Sequence, residues 1–302
     1  MVHVHVSDRL VDDAPHQWSS LVEWTRDRDV PLVVTLHDVP QPQEGVERHR
    51  RRSAAFRRIA RSADLVVVSS RSEQNAAAEI GVRSVVVDHP IFPVAERAAV
   101  SDRTAVSGDA GPARRSRTIT VAGFVHPGKG VAEMLDAIGD VRGTAVDGWQ
   151  LRLVGAASER HRDEPVRLRA LANAVGLDFH HTGPLPTSEW NRELRQATVA
   201  VCPHLHCSAS GSILSWIAHA RRPIVTDLPF CRELAEERPD ALTIVRRPDD
   251  WLDRVLASAH REGPDDPTDR SWRTPARSID QLDAAVGDLL ARRARRGDAL
   301  TA

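Results

Sequence analysis

Short apolar runs of strand length alternate with longer helical stretches along nearly the whole chain, and this alternation restricts the fold more than any other feature. Pro31–Leu36, Leu65–Val68 and Val85–Val87 are apolar throughout, without the polar alternation of a strand that has one face in water. Strands of this kind are buried on both faces, as in a parallel sheet covered by helices on either side. Helices are predicted between them at Gln17–Asp27, Glu47–Arg61 and Ser72–Ile80, the last closed by Gly81. Val2–Val6 is a further short apolar segment, carrying His3 and His5. The alternation restarts with strands at Thr118–Ala122, Trp149–Val154, Asp178–Thr182, Val199–Cys202, Pro223–Thr226 and Leu242–Val245. Helices are predicted at Lys129–Val141, Pro165–Val175, Thr187–Gln196, Gly211–Ala220, Cys231–Glu237, Pro248–His260 and Ser278–Arg295.

The break between the two series, from about Ala95 to Arg117, is rich in Ser, Gly, Asp, Pro and Arg without periodicity and reads as a linker. The expected organisation is therefore α/β, with two Rossmann-like domains whose parallel sheets carry helices on both faces: residues 1–100, a linker at 101–117, a second domain at 118–265 and a terminal helix with its tail at 266–302. An apolar content of 41% with 27% charged residues suits a soluble globular chain. The net charge of −1 and the absence of tyrosine argue against nucleic-acid binding. Three clustered cysteines (Cys202, Cys207, Cys231) do not make a disulfide framework, and no apolar run or basic leader marks a membrane span or signal segment, so the expected location is the cytoplasm.

In open parallel sheets ligands bind beyond the carboxyl ends of the strands. His37-Asp38, Ser69-Ser70, Gly123-Phe124, Gly155, Gly183 and the loop His204–Ser212 fall there. The last of these runs from a buried strand through small hydroxylated residues into a helix opening at Gly211. Such a junction presents unpaired N–H groups and a positive dipole end to a phosphate, with hydroxyls from Ser208, Ser210 and Ser212; the alternative is a capped helix with no ligand. Lys129, the only lysine, sits where the helix dipole disfavours a cation, which favours a phosphate contact over a structural role. His37 is either a loop cap or a ligand-facing group, and Asp38 either a cap or a base. His204-x-His206-Cys207 is too compact, with no second ligand pair, for zinc, so no metal is expected. His180-His181 reads as packing. The arginines between Arg48 and Arg61, around Phe56 and Ile59, make either a solvated face or a helix lying on an anionic membrane.

The order Val121–Gly130 (VAGFVHPGKG), Leu151–Gly155, Thr182–Leu185, Pro203–Ala218 and Arg222–Thr226 resembles the donor half of GT-B-fold glycosyltransferases of family 4. Thr35–Asp38 and Ala63–Ser70 are similar to the later part of that family's acceptor domain, and Trp272 with the last helix to its C-terminal crossover. The resemblance implies retaining, metal-independent and cofactor-free transfer of a sugar from a nucleotide diphosphate sugar to a saccharide or lipid-linked acceptor. It implies a catalytic role for His37 and Lys129 and a diphosphate cradle of Lys129, Ser210, Gly211 and Ser212. Gly123, Phe124, Gly155, Leu185, His204, Cys207 and Ser215 would line the nucleoside and sugar. Cys207 and Ser215 stand where family members carry two glutamates, Phe124 where an arginine is usual, and the first domain is expected to be shortened by a strand, a glycine-rich loop and a helix. These departures motivate an alternative: a non-catalytic nucleotide-binding or partner subunit, or a homodimer that completes the first sheet. An epimerase or phosphorylase on the same fold has no acid–base pair to recommend it.

Overall fold

A computed structural model of the chain describes residues 1–6, 15–94, 117–140, 146, 148–260 and 271–301. The expected linker lies outside the described residues apart from Arg117. In the first half, β1 (Val2–Val6), β2 (Leu32–Leu36), β3 (Leu65–Val68) and β4 (Val85–Val86) form a parallel sheet in that order. Helices α1 (Pro15–Asp27), α2 (Val46–Ser62) and α3 (Arg71–Glu79) connect them. In the second half, β5 (Thr118–Ala122), β6 (Gln150–Val154), β7 (Asp178–His181), β8 (Val199–Cys202), β9 (Ile224–Thr226) and β10 (Thr243–Val245) form a parallel sheet ordered β10-β9-β8-β5-β6-β7. Its helices are α4 (Val131–Asp140), α5 (Glu164–Ala174), α6 (Thr187–Gln196), α7 (Gly211–Ala218), α8 (Pro229–Glu237) and α9 (Trp251–Ala259), and α10 (Pro275–Thr301) ends the chain.

The continuous apolar strands are buried on both faces, as their composition requires. One face of the second sheet (Ile119, Leu151, Val199) packs on α4, α5 and α9; the other (Ala122, Val154, Cys202) packs on α7 and α8 through Trp216 and Phe230. The first sheet packs one face on Trp18, Phe56 and Ala77. Its other face (Val33, Leu65, Val67) is closed by Leu289, Leu282 and Val286 of α10. The terminal helix thus crosses back to the first half.

The halves are also joined by charge. Arg273, fully buried before α10, lies 2.8 Å from Glu233 and 2.7 Å from Glu237 on α8, and 3.8 Å from Asp88 after β4. These three carboxylates are the one close set of metal-type ligands among the described residues, and the guanidinium already sits among them.

Two expectations are corrected. The helix predicted to start at Lys129 starts at Val131 instead: Pro127–Lys129 is a separate 3₁₀ turn ended by Gly130 at φ 69°. A Cβ on Gly130 would lie 1.8 Å from the Pro203 carbonyl oxygen, so only glycine lets the two loops meet. The arginine-rich helix forms, but its apolar residues Phe56 and Ile59 are in the protein's own core and Arg52 is only 4% exposed, so that stripe is not available to a lipid surface. No helix among the described residues is long and apolar enough to cross a membrane.

Candidate functional site

In the second sheet the strand order reverses at β5, which pairs with β6 on one side and β8 on the other. This is the switch point at which loops diverge and leave a crevice. The loops after β5 and β8 meet there, bringing Lys129 to the start of α7. Lys129 is 7% exposed, and its ammonium donates to the Ala122 carbonyl (3.2 Å), to Ser212 Oγ (3.1 Å) and to His204 Nε2 (3.1 Å). His204 turns its Nδ1 to the Cys202 carbonyl at 3.4 Å, which leaves Nε2 as the acceptor for Lys129. Gly123, at φ 108°, keeps the space clear, since a Cβ there would come within 2.9 Å of the Lys129 Nζ.

The second loop presents the helix start that the sequence promised. Ser210 caps α7, its hydroxyl accepting from Ile213 N at 3.4 Å, and lies 3.0 Å from Ser212 Oγ. Gly211 is exposed at the first position of the helix. The Ser208 side chain is buried with an oxygen that has no hydrogen-bond partner. A buried hydroxyl of this kind is costly unless something completes it.

Across the crevice stands the end of β2. Asp38 adopts φ 54°, an uncommon conformation for a residue with a side chain, and lies exposed in the cleft. Arg52 Nη2 holds its carbonyl oxygen at 2.5 Å and pairs through Nη1 with Glu44. Arg48 lies 3.5 Å from Glu44 on the outer side. The cleft between these walls has a volume of about 400 Å³, in the range of small-molecule sites.

Of the residues singled out from sequence, Gly123, Phe124, Lys129, His204, Cys207, Ser210, Gly211 and Ser212 line this cleft. His37 does not; its Nε2 is bonded to His5 Nδ1 at 2.9 Å, and Asp38 takes the cleft-facing place. Gly155 packs behind Gly123, whose carbonyl oxygen would be 2.5 Å from a Cβ on it. Leu185 packs on the α7 core, and Ser215 lies within α7, where its carbonyl accepts from the His219 Nδ1 at 2.7 Å. His181 bonds the Gly155 carbonyl at 2.8 Å, whereas His180 is exposed beside Arg152 rather than packed. Sequence reading missed Glu44, Arg48, Arg52 and His126 as cleft residues, whereas His206 falls in the loop expected there. Arg52 was findable, because Arg52, Phe56 and Ile59 follow the spacing of a single helix face.

Burial dominates the electrostatics on the Lys129 side. It lowers Lys129, lowers His204 well below the usual imidazole range and brings His126 down to about 4, with the Lys129 charge adding to both histidine shifts. At neutral pH these imidazoles are uncharged, and the wall carries one desolvated ammonium beside a helix N-terminus.

Residues 115–260 match the family model for glycosyl transferases group 1. This domain is similar to the group 1 glycosyl transferases. No curated protein matches the chain by sequence. Among solved structures, Alr3699/HepE of Anabaena in complex with UDP and glucose superposes with a TM-score of 0.64 at 14% identity, covering 99% of this chain and 77% of that one. The α,α-trehalose-phosphate synthase of Burkholderia xenovorans in complex with glucose-6-phosphate gives a TM-score of 0.68 at 15% identity over 96% of this chain and 72% of that one. Sucrose-phosphate synthase of Thermosynechococcus elongatus gives 0.59 at 16% over 99% and 73%. These likenesses establish the two-domain GT-B fold for this chain.

Proposed function

We propose that this chain binds a nucleoside diphosphate sugar with its diphosphate at the start of α7 and transfers the sugar, with retention of anomeric configuration, to a saccharide or lipid-linked acceptor entering from the Asp38 side. The observation that carries the reading is the buried Lys129 ammonium bonded to Ser212 at a helix N-terminus. In this reading the phosphates take over the contacts that Ser212 and His204 now make with Lys129. The first-turn N–H groups of α7, which have no intrahelical partners, complete the cradle. A desolvated ammonium and a helix dipole stabilise a leaving diphosphate more strongly than solvated charges would, and they do so without further reorganisation. Lys129, Ser210, Gly211 and Ser212 hold the diphosphate; Phe124, His204 and Cys207 face the nucleoside and sugar. Asp38 faces the acceptor, and His37 supports the Asp38 turn from behind.

A second reading, a nucleotide-binding subunit without turnover, is favoured by Cys207 and Ser215, which leave the cradle without a carboxylate to hold sugar hydroxyls. Thermal-shift titration with UDP, GDP and ADP and their sugar conjugates tests both. A ligand at 100 times its dissociation constant stabilises the fold by about 2.7 kcal/mol. The expected outcome is a shift with one nucleotide that Lys129→Ala abolishes, and nucleotide release from the matching sugar conjugate in the presence of acceptor. A shift without release selects the subunit reading. A shift that survives Lys129→Ala overturns the assigned cradle.

A further inference from the structure

A second cavity, of about 630 Å³, lies where α3 of the first half meets α8 of the second, and it is the size of a small-molecule site. It adjoins the cleft. Gln41 lines both, and the Ser72 hydroxyl on its wall donates to the carbonyl oxygen of Ser208, a cleft residue, at 3.4 Å. The wall between them is fixed from both halves. Glu233 on α8 accepts the Ser72 N–H at 2.8 Å and the Arg71 N–H at 3.1 Å, capping a helix that is not its own, and is itself held by Arg273 at 2.8 Å.

The lining is rich in one kind of side chain. Seven glutamines and three asparagines occur in the 302 residues, and four of these ten, Gln41, Gln43, Gln74 and Asn75, line this one cavity. A carboxamide offers two donors and an acceptor without carrying charge. That combination suits a ligand whose hydroxyl groups each donate and accept. Gln74 Nε2 is bound to the Ser84 carbonyl at 2.8 Å, which leaves the side-chain oxygen as an acceptor. The charged groups point the same way. Arg71 pairs with Glu236 at 3.3 Å and Arg232 with Asp227 at 2.6 Å, while Glu79 adds a further carboxylate to the lining. Both lining cations are committed, so an anionic ligand meets a surplus of carboxylates.

We propose that this cavity is a second saccharide site, holding interior units of a neutral oligosaccharide whose terminal sugar enters the cleft past Gln41 and Asp38. The acceptor is then a sugar chain, not a monosaccharide or a sugar phosphate. That the bound chain is an acceptor rests on the transferase reading above; that the cavity binds saccharide does not.

The test is binding of soluble di- to octasaccharides with glucose, galactose, mannose, rhamnose and N-acetylhexosamine backbones, screened by ligand-observed NMR. The series that binds is then titrated against wild type and the double variant Gln43→Ala/Asn75→Ala. Wild type is expected to bind the longer members roughly tenfold more tightly than the disaccharide, the size of one or two net hydrogen bonds. The double variant is expected to bind every length as wild type binds the disaccharide. Both replaced side chains are exposed, so its melting point should match that of wild type. Affinity that does not grow with length, growth that survives in the double variant, or no binding by any of the panel overturns the proposal. If the oligosaccharides bind as expected while UDP, GDP and ADP leave the melting point unchanged, the cavity stands and the transferase reading falls. A nucleotide shift without oligosaccharide binding removes the saccharide site and leaves the donor site in place.

Discussion

The two walls of the cleft solve opposite problems. The Lys129 wall is stripped of water and nearly uncharged: one buried ammonium, histidines held neutral by burial, and glycines that let backbone approach backbone. The Asp38 wall is charged, but its charges cancel internally, with Glu44 set between Arg52 and Arg48 and Arg52 also holding the strained Asp38 turn. A desolvated wall makes few interactions, each strong, and suits a ligand whose charge is constant. A wall of mutually paired charges keeps its geometry with little net field and leaves selectivity to shape and to Asp38. A common diphosphate group on one side and a variable acceptor on the other would call for this division.

The comparison breaks most severely at Arg52. Glu44 has a side chain only 8% exposed, so removing its partner leaves a buried carboxylate uncompensated. Arg52→Ala is expected to lose on the order of 3–5 kcal/mol of folding stability in a denaturant titration. Adding Glu44→Gln in the same chain should recover a good part of that loss, a coupling that a double-mutant cycle measures directly. A loss below about 1 kcal/mol would mean that water reaches this pair and that the wall is not internally held.

The pH dependence of stability sharpens the comparison next. Glu73 has its carboxyl raised from 4.5 to about 7, so the folded protein keeps a proton that the unfolded chain releases. Its contribution therefore falls as pH rises through 4.5–7, and the penalty is complete above about 7, on the order of 3 kcal/mol. The lowered His126 and His204 act in the opposite sense, costing stability as pH falls below 6.5, so the total curve mixes both. The difference between wild type and Glu73→Gln isolates the carboxyl: the variant should gain on wild type across that window and stay level beyond it. A flat difference curve would place water beside Glu73.

The parts that were legible in the sequence are those set by local pattern. Runs such as Leu65–Val68 have no face to expose, so they are strands in a covered sheet wherever they fall, and Ser210 before Gly211 marks a helix start from four residues alone. The start of α4 was misplaced because it is decided by Gly130 meeting the Pro203 carbonyl, a contact between segments far apart in the chain. The resemblance implies a cleft role for His37, whereas the residue in the left-handed turn that lines the cleft is Asp38, its carbonyl held by Arg52, fourteen residues away on α2. The caps that Glu233 places on Arg71 and Ser72 bridge the two halves and have no local signature.

The smallest expected effect lies at Arg48, the outer partner of Glu44. Its side chain is 55% exposed and the pair is 3.5 Å apart, so water screens it and the long side chain gives up rotamer freedom to hold it. Arg48→Ala should change stability by no more than about 0.5 kcal/mol, an order of magnitude below Arg52→Ala although both arginines contact one carboxylate. That ratio is the sharpest statement of how the wall is built, since charge type and carboxylate partner are constant while burial and the added Asp38 contact of Arg52 differ. If the two variants instead cost the same, burial is not what separates them. Glu44 would then be shared evenly, Asp38 would lose its fixed support, and the contrast between a desolvated wall and an internally paired one would reduce to a contrast between one cation and two.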